Sequence, residues 1–373
     1  MNTKHKIAFV GNSALTMMNF RFGVMKALAA DYDIVVIAPH DREMASLEPL
    51  GIRYIPVDMD CRGTNPIKDI RLYRRLKAIY NRERFDFIFH YTIKPVIYGS
   101  MAAAALGIRF ISVVTGLGYT FIKRNWLFRL SCLLHAKALQ KAETVWFLND
   151  DDHNVFVRLN LVQPNKAHVI PGEGVDTTFF ATKQPLPEEC TFLYCGRMLR
   201  YKGIELFVEA AKTLRQEFPN AHWQLLGSLD AQNPEGIKPD EMEDWVRKGY
   251  ITYLGVAKDV RPFLEQCTCV VLPSYFREGV PRSLMEAASM ERTIIATNSV
   301  GCKDVVIDGV NGLLCELKSL DSLIATMRKM MLMPQEELTK MGKKGRELML
   351  RKFDEQIIIR EYKNALHTYL SNA

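Results

Sequence analysis

No stretch of this 373-residue chain is both apolar and long enough to cross a bilayer. The two best uncharged stretches, residues 95–108 and 110–122, fall short of the ~18–20 residues that a span requires. The N-terminal run IAFV is stopped by Gly11 and is too short for a secretory leader. Lipid contact is therefore expected to be peripheral. Cysteine is scarce too: there are eight, with one close pair at Cys267 and Cys269 and no zinc-like spacing with histidine. They are expected as reduced core thiols of a cytoplasmic protein. Low-complexity tracts are missing, and so is the G-x-G-x-x-G spacing of a dinucleotide-binding turn.

With 48% hydrophobic residues, the chain can bury more than one core, and two domains are the starting expectation at this length. The formal net charge of +7 is unevenly placed. Residues 1–183 carry 24 basic and 16 acidic side chains, whereas residues 184–373 carry 25 and 26, so the positive excess is confined to the first half. Such a half suits an anionic partner, whether phosphate, nucleic acid or an acidic membrane surface, and charge alone does not choose among them.

Short β-branched runs alternate with helix-period segments: KIAFV, DIVVIAP, IRYIPV, FDFIFH, IRFISVV and TVWFL in the first half. A proline-bearing stretch without periodicity, residues 177–189, is expected as a linker. The alternation restarts with TFLYCG, HWQLLG, ITYLG, CVVLP and TIIAT. This pattern predicts two doubly wound α/β domains with parallel sheets, residues 1–178 and 188–353. A last helix, residues 354–373, is expected to pack back on the first domain. Ligands of such sheets bind outside the carboxyl ends of the strands, so the site is expected where the two sheets face a cleft.

The segment SYFREGVPRSLMEAAS, residues 274–289, follows a buried strand and opens a helix. Gly279 permits a close approach, Val280 and Pro281 lead into the first turn, and Ser283 can bond a free backbone N–H or a ligand. A helix start offers N–H groups and partial positive charge, which suit a diphosphate. Glu278 lies just before that site and Glu286 lies more than a turn inside the helix. Carboxylates on either side of a diphosphate suit hydroxyls flanking it, the layout of a nucleotide sugar. In CGRMLRYKGIE, residues 195–205, Arg197 and Lys202 leave another strand and can neutralise a diphosphate. Gly11 and Asn12, at the first strand-to-helix turn, form a candidate second wall of the phosphate site.

These segments, with GEGVD at residues 172–176, resemble the retaining family 4 glycosyltransferases of the two-domain GT-B fold. HYTIKPVIYGSMAAAALG and VTGLGYTF resemble, more narrowly, bacterial enzymes that extend undecaprenyl-diphosphate-linked sugars in O-antigen, capsule or glycoprotein-glycan assembly, α-1,3-N-acetylgalactosaminyltransferases among them. The resemblance implies transfer of a hexose or N-acetylhexosamine, N-acetylgalactosamine favoured, from a UDP-sugar to a polyprenyl-diphosphate-linked saccharide at the inner face of the membrane, with no cofactor or metal. It implies that Glu278 faces the donor sugar, Glu286 the ribose, and Arg197 and Lys202 the diphosphate, with Gly279, Val280 and Pro281 lining the pocket. His90, expected at the cleft edge after FDFIF, is implied at the reacting groups, and Lys94, Arg21, Thr115 and Gly116 at the acceptor. Glu173 stands where the family usually has Asn. Two competing readings stay open: a nucleotide-sugar epimerase of the same fold, and a nucleotide-sugar-binding scaffold without turnover.

Three further segments invite other readings. Asp150, Asp151 and Asp152 with His153 imitate a metal site, but Asn149 before them can cap a helix whose dipole favours acids, and the metal reading is set aside. Residues 65–85 are rich in Arg and Lys. Their apolar members Ile67, Ile70, Leu72, Leu76 and Ile79 approximate one helical face, so a sheet-packing helix with a basic outside is expected and not a nucleic-acid helix. Residues 119–141 crowd Trp126, Leu127, Phe128, Leu130, Leu133 and Leu134 beside Lys123, Arg124, Arg129, Lys137 and Lys141. That suits a helix lying on an anionic membrane, although core packing explains much of the same pattern.

Overall fold

The computed structural model describes residues 4–60, 63–117, 121, 125–182 and 184–371. They form two α/β units: one runs to Glu173 and resumes at Glu355, and the other is Gly174–Asp354.

The first unit is built on seven parallel strands: β1 (Lys6–Val10), β2 (Asp33–Ala38), β3 (Arg53–Pro56), β4 (Phe87–Tyr91), β5 (Arg109–Val114), β6 (Thr144–Phe147) and β7 (Ala167–Val169), in the order β3-β2-β1-β4-β5-β6-β7. The apolar runs of β1, β2, β4 and β5 are covered on both faces, as a parallel sheet requires. β7 is absent from the strands expected above. It has three residues and an exposed His168, and pairing with β6, Trp146 to His168, carries it where its own sequence does not.

One face of this sheet is covered by the helices Pro66–Glu83, Ser100–Ala105 and Trp126–Leu139, whose Leu72, Leu76, Tyr80, Ala102, Ala103 and Leu139 enter one core. Ile67 and Ile70, expected with them, are exposed instead. At 3.6 residues per turn they project opposite Leu72 and Leu76, and the buried stripe runs through Asp69, Leu72, Leu76 and Tyr80. The other face receives the last helix, Glu355–Leu370. Tyr362 is buried with its ring 4.8 Å from Phe89 and 4.9 Å from Trp146, and its hydroxyl accepts a 2.8 Å hydrogen bond from Tyr91.

The second unit has six parallel strands: β8 (Thr191–Cys195), β9 (His222–Leu226), β10 (Thr252–Tyr253), β11 (Cys269–Leu272), β12 (Thr293–Thr297) and β13 (Gly312–Cys315), in the order β10-β9-β8-β11-β12-β13. The proline-bearing segment 177–189 belongs to this unit, pinned by two guanidinium groups. Arg346 donates to the carbonyls of Thr177 and Phe180 at 3.2 Å each. Arg292, which is 1% exposed, donates to the carbonyls of Gln184 at 2.8 Å and Met290 at 2.9 Å.

In each sheet the strand order reverses once, between β1 and β4 and between β8 and β11. The connections leaving those neighbouring strands diverge to opposite faces and open a crevice at their carboxyl ends. Among the described residues no helix is long and apolar enough to cross a membrane.

Candidate functional site

In the second unit the crevice between β8 and β11 is framed by two loops. The first carries Arg197 and Lys202 out of β8 into the helix Ile204–Leu214, and the second carries Ser274 to Pro281 out of β11 into the helix Arg282–Ser289. The loops are stapled together. Tyr275 N–H donates to Tyr201 C=O at 3.0 Å and the rings of Tyr201 and Phe276 lie 4.8 Å apart. Gly203, at φ +79°, brings its Cα so close to Pro273 that a Cβ would sit 2.1 Å from that carbonyl oxygen, so only glycine fits. A third loop closes the site from the β12 side: Gly301, at φ +84°, would place a Cβ 2.7 Å from the carbonyl oxygen of Glu278.

Both helices begin without a side-chain cap, at Gly203 and at Pro281. Elsewhere Ser13 caps the helix Ala14–Ala29 and Asn149 caps Asp150–Arg158. Two helix starts without side-chain caps at one crevice bring two positive dipole ends together. An anion seated there would meet them together with Lys202.

The carboxylates stand beside these ends. Glu278 Oε1 accepts a 2.8 Å hydrogen bond from Ser274 Oγ and lies 3.1 Å from Lys202 Nζ. Glu286 is held by Arg282, whose Nε donates at 2.8 Å. Burial pushes the Glu286 carboxyl upward, and the Arg282 guanidinium opposes that shift. Arg197 follows β8 with an exposed side chain, while its carbonyl accepts from Tyr194 OH at 2.9 Å. Val280 and Pro281 are buried in the turn, and Ser283 is half-buried in the first turn of the helix. Ser274, Arg282 and Gly301 were not singled out from the sequence. The i, i+4 spacing of Arg282 and Glu286 signalled one of them, and the other two depend on contacts between separate loops.

The first unit treats its candidates differently. His90 lies inside β4 and is fully buried, which corrects its expected place at a cleft edge. Its Nε2 is 3.1 Å from Tyr80 OH and its Nδ1 is 3.2 Å from Ser100 Oγ, so both ring nitrogens are engaged within the core. Burial holds its pKa down to about 3, which keeps the ring neutral. Lys94 is buried against Asp69, with Nζ to Oδ1 at 2.6 Å, and Tyr98 OH donates to the other oxygen of Asp69 at 2.9 Å. Arg21 is buried beneath the Tyr91 ring, 4.1 Å from its centroid, and is ion-paired with Glu173. That pairing accounts for the acid preceding Gly174. Thr115 and Gly116 follow β5 and line a small hollow with Thr92 and Ile93, backed by His135. Gly11 donates to Ile37 C=O at 3.0 Å, and the helix after Asn12 is capped by Ser13 Oγ accepting from Thr16 N–H. The residues expected after Gly116, 118–120 and 122–124, including Lys123 and Arg124, lie outside the described residues.

The acidic run 150–152 lies in the first turn of a helix, where Asn149 Oδ1 accepts from Asp152 N–H at 2.8 Å. The seven described cysteines are free, and burial pushes the thiols of Cys195, Cys267, Cys302 and Cys315 up to about 12.

Two units of this topology define a GT-B α/β protein. Residues 6–149 match the family described as glycosyl transferase 4-like, and residues 189–332 match glycosyl transferases group 1. The chain belongs to these glycosyltransferases and is an enzyme of the transferase class. It is 26% identical, over 96% of its length and 97% of the relative's, to N,N'-diacetylbacillosaminyl-diphospho-undecaprenol alpha-1,3-N-acetylgalactosaminyltransferase of Campylobacter jejuni. It is also 26% identical, over 79% of its length and 78% of the relative's, to UDP-Gal:alpha-D-GlcNAc-diphosphoundecaprenol alpha-1,3-galactosyltransferase of Escherichia coli. In fold it is similar to HepE of Anabaena solved with UDP and glucose, at a TM-score of 0.78 and 17% identity over 97% of this chain and 99% of that one.

Proposed function

We propose that the protein moves a hexose or N-acetylhexosamine, N-acetylgalactosamine favoured, from a UDP-sugar to a polyprenyl-diphosphate-linked saccharide, with retention, at the cytoplasmic face of a membrane. The observation that carries this reading is the Lys202–Glu278 pair set between two uncapped helix starts at the β8/β11 crevice. The relatives named above, which act on undecaprenyl-diphosphate-linked sugars, support the acceptor class.

In this reading the donor diphosphate takes the helix starts with Lys202 and Arg197. Glu286 accepts from the ribose hydroxyls, and Glu278 accepts from a hydroxyl of the transferred sugar. The bond between the anomeric carbon and the β-phosphate oxygen breaks, and its electron pair leaves with UDP, whose growing charge the cations and amides stabilise. The acceptor hydroxyl bonds to the same face of the anomeric carbon and passes its proton to the departing phosphate. Glu278 Oε1 is engaged by both Ser274 and Lys202, which favours this route over one that uses Glu278 as a covalent nucleophile. In the first unit Thr115 and Gly116 are assigned to the acceptor. The ion-paired Lys94 and Arg21 and the enclosed His90 are assigned to shaping that unit.

Incubation with a panel of UDP-sugars and short polyprenyl-diphosphate saccharides, with products read by mass, tests the proposal. The expected product is the acceptor heavier by one hexose or N-acetylhexosamine. An epimerised donor formed without acceptor would establish the epimerase instead, and a pathway that still works in cells carrying Glu278→Ala would establish the scaffold.

A further inference from the structure

Two helices on one flank of the first unit present large apolar side chains to solvent. On Trp126–Leu139 these are Trp126, 70% exposed, and Leu133, 66% exposed, with Leu130 between them. On Pro66–Glu83 they are Ile67, 61% exposed, and Ile70, 52% exposed. Monomer surfaces seldom gather such side chains without a use.

Cations share each outward stripe. Spacings of three and four residues place Arg129 beside Trp126 and Leu133, with Lys137 one turn beyond Leu133. The same spacings place Arg71 and Arg74 beside Ile67 and Ile70. All four cations are exposed, and none has an acidic partner among the described residues. Their neighbours at the edge of the Pro66–Glu83 stripe do: Lys68 pairs with Asp60 at 3.0 Å and Arg75 with Asp58 at 3.1 Å. The helix Trp126–Leu139 contains no acid; of the two in the other helix, Asp69 is taken by Lys94 on the inner side and Glu83, at the far end, by Arg53 and Arg82. Both helices pack against the intervening segment 95–105 and cover the same face of the sheet, so both stripes look outward on that side, one on each flank of the segment.

From this we infer that the two helices form one docking surface for an anionic lipid bilayer, with Trp126, Leu130, Leu133, Ile67 and Ile70 entering the headgroup boundary and Arg71, Arg74, Arg129 and Lys137 meeting lipid phosphates. Aliphatic and indole groups interleaved with unpaired cations suit a lipid interface, where both kinds of group are satisfied at once. A purely electrostatic partner such as a nucleic acid would leave the apolar half exposed. The inference deepens the membrane side of the proposed function. It adds the helix Pro66–Glu83, whose Ile67 and Ile70 the periodicity alone assigned to the core.

The test is co-sedimentation of the full chain with vesicles of phosphatidylcholine alone and of phosphatidylcholine with phosphatidylglycerol, at two salt concentrations. Expected are partition onto the anionic vesicles only, weaker at high salt, and a loss of roughly tenfold or more for Arg71→Gln with Arg74→Gln. Comparable losses are expected for Ile67→Ser with Ile70→Ser and for Trp126→Ser with Leu133→Ser. UDP binding, measured by calorimetry on each variant, is expected to be unchanged. It separates this inference from the donor-site reading, which fails if the wild-type chain binds no UDP while vesicle binding stands. Absence of wild-type partition, or full binding by Ile67→Ser with Ile70→Ser, would overturn the two-helix surface. So would a concentration-dependent dimer abolished by the same variants, which would assign the stripes to a second copy of this chain.

Discussion

The two sheets reverse strand order at equivalent places, β1 beside β4 and β8 beside β11, yet they furnish those places in opposite ways. At β1/β4 the helix after β1 is capped by Ser13, while the helical segment after β4 has no side-chain cap; Lys94 is neutralised by Asp69, Arg21 by Glu173, and His90 is enclosed by Tyr80 and Ser100. At β8/β11 the helix starts carry no side-chain cap, and the charged groups Lys202 and Glu278 are gathered at their mouths. Under the proposed function, the first end serves the fold and the second, whose Lys202 and Glu278 are themselves paired, receives the donor.

The largest expected effect that would break this comparison comes from the second unit. Lys202→Met is expected to lower kcat for sugar transfer by ~10²–10³, as removal of one pre-oriented donor to developing charge does. Thermal melting should stay within a few degrees of wild type, so a variant that merely unfolds would refute the assignment. Arg21→Met, by contrast, leaves Glu173 buried without its cation, and a loss of roughly 3–5 kcal/mol in urea unfolding is expected. Transfer per folded molecule is expected to persist. If it fell a hundredfold at unchanged stability, the first unit's cluster would belong to the chemistry.

A smaller effect follows from two buried histidines of the first unit. Burial holds His90 at about 3 and His135 at about 4, against an ordinary value near 6.5. Between those values the unfolded chain binds protons that the folded chain refuses, so stability is full above pH 6.5 and is lost as pH falls. By pH 5 the loss is about 2 kcal/mol per histidine. Denaturant melts across pH 5–7 should show it, and His90→Gln should flatten the slope by about half. The smallest effect expected is at the acidic run: Asn149→Ala costs about 1 kcal/mol through the lost cap and leaves transfer unaltered, with or without a chelator.

Much of the architecture was legible because each feature had a local cause. The parallel strands announce themselves as β-branched runs, and the segment 278–286 as a glycine and proline before a helix with a carboxylate at either side. β7 and β13, AHV and GLLC, were not among the expected strands; neither is a β-branched run, and they form by pairing with β6 and β12. His90 was misplaced by counting to the end of FDFIFH, whereas the strand continues through Tyr91 and the Tyr80 and Ser100 side chains, brought from separate helices, enclose the ring. Ile67 and Ile70 were misplaced because a list of apolar residues resembles a stripe until the 100° step between neighbours separates the two sides.

By itself, the sequence determined the two α/β units, the strands of their interiors, and the charged residues that leave β8 and β11. These follow from hydrophobic period and turn chemistry, which act over a few residues. Only the tertiary structure decided which charges are consumed. Lys94, Arg21 and His90 meet partners 25, 152 and 10 residues away and are closed off, while Lys202 and Glu278 are 76 positions apart and meet where glycines let two loops touch. Whether a polar side chain serves the fold or a ligand depends on what packs against it, and that is settled by chain segments distant in sequence.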